Sequence, residues 1–160
     1  MFKPEEGKEY PFYVEKLLSL PDGSYFVLNG PDDRKYLMES RFYSDEYQII
    51  PGTEIICKVD KINCTGKVFF EPLHPVYLEG VVDVFEIVGV ETRRFKKSGE
   101  EYSAFFAISN RTKHGVIRLP DQEKEWQLSI GMKVKARVKK TSKGEVHLVV
   151  VFDTLLELSI

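Results

Sequence analysis

The sequence predicts an all-β protein made of two tandem five-stranded barrels. Three observations carry that expectation. The chain of 160 residues is written twice: residues 51–72 (PGTEIICKVDKINCTGKVFFEP) return in altered form as residues 130–150 (IGMKVKARVKKTSKGEVHLVV). Apolar residues alternate with polar ones along most segments, the pattern of strands with one buried face. Turn-forming residues separate these segments at a spacing of roughly 8–12 residues, as in small all-β domains.

In each copy a glycine, Gly52 or Gly131, opens a strand with an apolar face. That face is Ile55, Cys57 and Val59 in the first copy, and Val134, Ala136 and Val138 in the second. Lys61 and Lys140 follow, and Gly66 and Gly144 turn the chain into the next strand. Gly7 and Gly80 open an earlier strand ahead of each copy. A repeat of about 75 residues is too long for a solenoid unit and suits a small barrel. The expected division is a first barrel in 1–73, a linker in 74–79 and a second barrel in 80–160.

In the first half, a strand at 10–18 ends in the turn LPDG at 20–23. A strand at 25–28 is closed by NGPDD at 29–33 and forms a hairpin with 35–38. Residues 39–51 are polar and aromatic, with Phe42, Tyr43 and Tyr47, and suit a short helix or 3₁₀ turn. Strands at 54–63 and 67–71 close the set across Thr65 and Gly66. The second half repeats this order. Its first strand, 81–91, runs into the hairpin RRFKKSGEE at 93–101. Strands at 102–109 and 114–119 flank NRTK, and 120–129 form a non-strand insert. Strands at 133–140 and 145–152 meet across SKG, and the tail at 153–160 is expected to lean on the barrel. Three strands, a short insert and two more strands is the order of the OB barrel, a five-stranded Greek key. An SH3-like barrel has a longer first loop and lacks the insert. Between the halves, in EPLHPVYLEG at 71–80, Pro72 and Pro75 stop strand pairing. His74 in this stretch is expected to pack or hydrogen-bond at the junction.

Hydrophobic residues make up 42% of the chain and charged residues 30%, as in ordinary globular proteins. No apolar run approaches the roughly 20 residues that span a bilayer. The start, MFKPEEGKEYPF, is charged and lacks the apolar stretch of a secretory leader, so a cytoplasmic location is expected. Two cysteines make no disulfide framework. Cys57 takes the inward phase of its strand, and Cys64 sits at a hairpin. With His74 they match no common zinc spacing, so neither metal nor cofactor is expected. Enzyme signatures such as a Gly-rich phosphate loop, HExxH and GxSxG are absent from the sequence. The acidic pairs Glu5-Glu6, Asp32-Asp33 and Glu100-Glu101 fall in termini or hairpins, where solvated charge explains them. A non-enzymatic protein is the expectation. The net charge of −2 conceals an asymmetry: residues 1–79 carry 9 Lys and Arg against 14 Asp and Glu, and residues 80–160 carry 14 against 11.

The segments SAFFAIS (103–109), HGVIRLPD (114–121) and SIGMKVKARVKKTSKGEVHLVV (129–150) resemble the RNA-binding repeat of ribosomal protein S-one. The shared features are a small residue and Phe on the second strand and a Gly-led third strand. A Gly followed by alternating Val and Lys then precedes a turn and the last strand. The chain departs from that pattern at Ala104, at Ile108 and in its basic first hairpin. The resemblance implies an OB barrel that binds RNA.

OB barrels bind through the face of strands two and three and through the loops joining strands one to two and four to five. In the second half the first of these loops holds Arg93, Arg94, Lys96 and Lys97 around Phe95. Cations attract phosphates and an exposed ring stacks on a base. The bland alternative is a solvated hairpin tip with Phe95 folded onto the barrel. If Val134, Ala136 and Val138 face inward, then Lys133, Lys135, Arg137 and Lys139 form an outward stripe leading to Lys140 and Lys143. Such a stripe also serves solubility and edge protection. On the second strand Phe106 and Ile108 are expected in the core, with Phe105 and Ala107 facing out, Phe105 as a stacking ring. His114 and Arg118 on the third strand complete the candidates. In the first half Tyr25 and Tyr36 lie near Asp22, Asp32 and Asp33, which repel phosphates. The expected partner is single-stranded RNA, or DNA, through the second barrel, with other proteins as partners of the first. The competing expectation is a protein-interaction adaptor.

Overall fold

The computed structural model describes residues 2–124 and 126–153. The expected position of the tail beyond residue 153 lies outside the described residues. The described residues form ten strands and three 3₁₀ turns. Two compact units result: residues up to Pro75 with the turn Ser142–Gly144, and the remainder from Val76.

The first unit is a five-stranded sheet of β1 (Glu9–Leu20), β2 (Gly23–Asn29), β3 (Lys35–Glu39), β4 (Glu54–Ile62) and β5 (Val68–Pro72). The aromatic stretch between β3 and β4 forms two 3₁₀ turns, Ser40–Phe42 and Asp45–Tyr47. Strand order is β3-β2-β1-β4-β5. The second unit holds β6 (Val82–Arg94), β7 (Glu101–Ile108), β8 (Gly115–Arg118), β9 (Lys133–Ser142) and β10 (Glu145–Asp153), with a 3₁₀ turn at Leu119–Asp121. These strands close into a barrel in the order β10-β8-β7-β6-β9. Numbered within each half, the order is third, second, first, fourth in both. The second half closes its third strand on its fifth, through the parallel pair β8–β10, whereas among the described residues the first-half sheet does not close. In the first half, rings from β3 and β5 meet instead: Tyr36 and Phe70 lie 5.1 Å apart, and Phe12 packs edge-on against each at 5.8 and 4.6 Å.

The written repeat is a structural one. The Gly52 N–H donates to Val14 C=O at 2.7 Å, and the Gly131 N–H donates to Ile87 C=O at 2.7 Å. The reciprocal bonds run from Val14 N–H to Thr53 at 2.8 Å and from Ile87 N–H to Met132 at 2.9 Å. Gly7 bonds Val59, and Gly80 bonds Val138, both at 2.9 Å. Gly52 and Gly131 hold φ of 92° and 93°, a left-handed turn into the strand that L side chains resist. A register shift follows each anchor, between Val14 and Lys16 in β1 and between Ile87 and Gly89 in β6. Such bulges bend a long strand so that one half pairs with one neighbour and the other half with another. Thus β6 pairs with β9 through Val82 to Glu86 and with β7 from Glu86 onward.

The core of the first unit gathers Phe12, Val14, Phe26, Leu28, Met38 and Cys57. The core of the second gathers Phe85, Ile87, Ala107, Ile117, Val134, Ala136, Val138, Val146 and Leu148 around Tyr77. His74 is buried, its Nε2 3.0 Å from Glu46 Oε2 and its ring edge-on to Tyr47 at 5.0 Å. Pro72, expected to stop pairing, instead ends β5 opposite Cys57 in register. No helix among the described residues is long and apolar enough to cross a membrane.

Cys57 is fully buried, and burial pushes its thiol well above the usual range, whereas Cys64 is exposed. A thiol reagent needs an accessible thiolate. It is expected to label Cys64 quickly in the native protein and Cys57 only after unfolding. Equal labelling of both in the native state would show that this core opens readily.

Candidate nucleic-acid interface

The outward face of the second barrel is set by the bulge in β6. In register, Gly89 stands opposite Phe106, Glu91 opposite Ala104 and Arg93 opposite Tyr102. On the far side of β7, Ala104 stands opposite Arg118 of β8. Side chains alternate across a strand, so Tyr102, Ala104 and Phe106 share one phase. This corrects the expected phase of β7. Ala107 is fully buried and Phe105 packs on the core, so Phe105 is no free stacking ring and Phe106 takes the outer position. The physical reason lies across the pair: Gly89 leaves room for a ring, and a Cβ built there would meet Phe106 at 3.4 Å.

Two clusters of ring and guanidinium lie on this face. The Phe95 and Tyr102 centroids are 4.5 Å apart, and the Arg118 guanidinium sits 4.9 Å from the Tyr102 centroid and 5.7 Å from that of Phe95. Beside them the Arg93 guanidinium lies 5.6 Å from the Phe106 centroid. The three rings and two arginines all remain at least partly accessible to solvent, whereas Ala104, opposite Arg118, is fully buried. Phe95 therefore leans onto Tyr102 rather than standing free at the hairpin tip.

Acids already hold several of the expected cations. Arg93 donates to both carboxylate oxygens of Glu145 at 3.0 and 2.7 Å and, through Nε, to Glu91 at 2.6 Å. Burial works to raise the Glu145 carboxyl, but the hydrogen bonds and charge of Arg93 outweigh it and hold it below its ordinary range. The Arg93 guanidinium is driven higher still, chiefly by its hydrogen bonds to Glu145. Arg94 pairs with Glu101 at 2.7 Å. Asp121 takes Arg118 at 3.4 Å and Lys139 at 3.6 Å. Arg93 and Arg94 thus end β6 rather than sit in the loop, while Lys96 and Lys97 are the exposed loop cations.

The stripe on β9 is as expected in phase. Val134, Ala136 and Val138 are buried, Lys133, Arg137 and Lys139 are exposed, and Lys135 is half-buried. It runs beside the first half of β6, where Lys135 and Arg137 face Val84 and Val82 in register, so it does not share strands with the ring clusters. Lys143 lies in the turn after β9 at φ 48°. His114 is exposed, and its N–H donates to Thr112 Oγ1 at 3.1 Å. Sequence reasoning missed Tyr102, Phe106, Glu145 and His147. His147 is buried on β10, its Nε2 3.8 Å from Glu145 and its Nδ1 without a hydrogen-bond partner.

No family model matches this chain, and no curated protein does. Among solved structures, it is similar to one described as a multidomain protein with nucleic acid binding domains from Streptococcus pneumoniae TIGR4. The alignment covers 91% of this chain and 50% of that one, at 11% identity and a TM-score of 0.28. The chain thus spans about half the length of that protein, and a likeness of this degree assigns neither fold nor ligand.

Proposed function

We propose that the second unit binds single-stranded nucleic acid, RNA in preference to DNA, and catalyses no reaction. The observation that supports this reading is the pair of ring and guanidinium clusters on one strand face: Phe95 and Tyr102 with Arg118, and Phe106 with Arg93. Aromatic rings stack on unpaired bases of any sequence, and guanidinium planes stack on them too. The exposed Lys96 and Lys97 add phosphate attraction that is indifferent to sequence. The preference for RNA rests on the resemblance of residues 103–150 to the S-one repeat.

Affinity on this reading is modest, because Glu91, Glu101 and Glu145 compete with phosphate for Arg93 and Arg94. The same internal neutralisation favours a second reading, a protein-interaction adaptor that presents mixed charge. The first unit fits a protein partner better than a nucleic acid: Tyr25 and Tyr36 donate to Asp22 and Asp32, at 2.8 and 3.2 Å, on a face where acids repel phosphate.

Fluorescence anisotropy with labelled pyrimidine RNA and DNA, at two salt concentrations, tests the proposal. Changing Lys96, Lys97, Arg137 and Lys139 together to Ala is expected to lower affinity for every sequence. The slope of log affinity against log salt should fall by about 1 for each phosphate contact removed. A folded variant that binds as the parent does, or a parent that binds neither polymer at low salt, would leave the adaptor as the better reading.

A further inference from the structure

A cleft of about 630 Å3 opens along the first half of β6, bounded by the residues after β7 and by Lys133 at the start of β9. Its size falls within the range of small-molecule sites. It shares no residue with the ring clusters. We propose that this cleft is a second site, for a nucleoside monophosphate.

Three features point to that chemistry. Its floor is apolar and open: Val82 is 46% exposed, Val84 is 42% exposed, and Ile108 adjoins them. Open valines in a concave surface suit a flat ring. Its wall is polar and held in place. The Tyr77 hydroxyl donates to Asp83 Oδ2 at 2.8 Å and is hydrogen-bonded to Ser109 Oγ. The Val84 N–H donates to Asp83 Oδ1 at 2.8 Å, and Ser109 Oγ accepts from Arg111 N–H at 3.1 Å and Thr112 N–H at 3.3 Å. Tyr77 is itself almost fully buried, so this network is anchored in the core. A carboxylate offers about four acceptor positions. Asp83 therefore keeps capacity for sugar hydroxyls after its two internal bonds. The third feature is charge: Arg111 and Lys133 line the same cleft and are exposed, beside the acids Asp83 and Glu86, the latter opposite Lys133 in register. Two cations for phosphate, two acids for sugar hydroxyls and an apolar floor for the base together match one ligand. A purely apolar ligand leaves the charges unused, and inorganic phosphate leaves the floor unused.

Isothermal titration of the whole protein with the four ribonucleoside monophosphates tests the site. Saturable binding is expected, with the matching nucleoside and inorganic phosphate each about tenfold weaker or more, since a charge-assisted contact or a buried ring is lost. Arg111→Glu with Lys133→Glu should weaken nucleotide binding by about tenfold or more. Backbone amide shifts induced by the nucleotide should fall at Val84, Ser109 and Arg111. The proposal is overturned if no monophosphate binds at millimolar concentration, if the double variant binds as the parent does, or if the shifts fall instead at Phe95, Tyr102 and Arg118. Failure of RNA oligomers to bind while monophosphates still bind would count against the strand-face proposal and not against this one.

Discussion

Phe95→Ala is expected to weaken single-stranded RNA binding by about 1–3 kcal/mol, roughly 5- to 150-fold, for the one stacked base it loses. The salt dependence should scarcely change, because no cation is removed. Phe95 lies outside the buried core cluster, and Arg118 keeps its place 4.9 Å from the Tyr102 ring without it. The thermal melt of the variant should therefore stay close to that of the parent. Phe105→Ala is the control with the opposite signature. Phe105 packs on the core, so its loss should lower stability directly, by the few kcal/mol typical of large-to-small core changes. Anisotropy titrations and melts on both variants distinguish a binding ring from a packing ring. Equal affinity for Phe95→Ala and parent would remove the ring from the site.

The second large effect is on stability in mild acid. Burial pushes the His147 imidazole down to about 4, against about 6.5 for the free side chain, while Glu145 works the other way and Lys140 and Arg118 reinforce the drop. The folded state therefore keeps this ring neutral at a pH where the unfolded chain protonates it. Between those two values the unfolded state binds the extra proton, so stability is present above about pH 6.5 and is lost as pH falls towards 4. At about 1.4 kcal/mol per pKa unit, the full loss is about 3 kcal/mol. Glu145, held below its ordinary range by Arg93, adds a further loss at lower pH, with the same sign. Urea denaturation across this window should show the slope in the parent and a flatter profile in His147→Phe. An equally steep profile in the variant would assign the acid sensitivity to other groups.

Much of the fold was legible because the repeat carries its own punctuation. Gly52 and Gly131 each mark a required left-handed turn, and the inward residues Cys57, Val59, Val134, Ala136 and Val138 alternate cleanly. The 3₁₀ turns after β3 matched a polar and aromatic stretch that offered no strand phase. The face of β7 was not legible. In SAFFAIS both phases offer one Phe and one Ala, so alternation cannot choose between Phe105 and Phe106. The choice comes from Gly89, which lies across the strand pair beyond a bulge. The same limit hid Glu145. Its grip on Arg93 joins positions 52 residues apart, and nothing local to RRFKK announces that an acid will neutralise it. The open seam between β3 and β5 also escaped, because the rings that fill it, Tyr36 and Phe70, read as ordinary strand aromatics.

On the proposed reading, one strand face of the second unit, built from rings and arginines, receives unpaired bases. Mapping of backbone amide shifts on titration with a short pyrimidine RNA tests it most directly. The expected result is a set of shifts concentrated at Arg93, Phe95, Tyr102, Phe106 and Arg118, with residues of the first unit little changed. Shifts confined to the first unit, or no shifts at low salt, would contradict it.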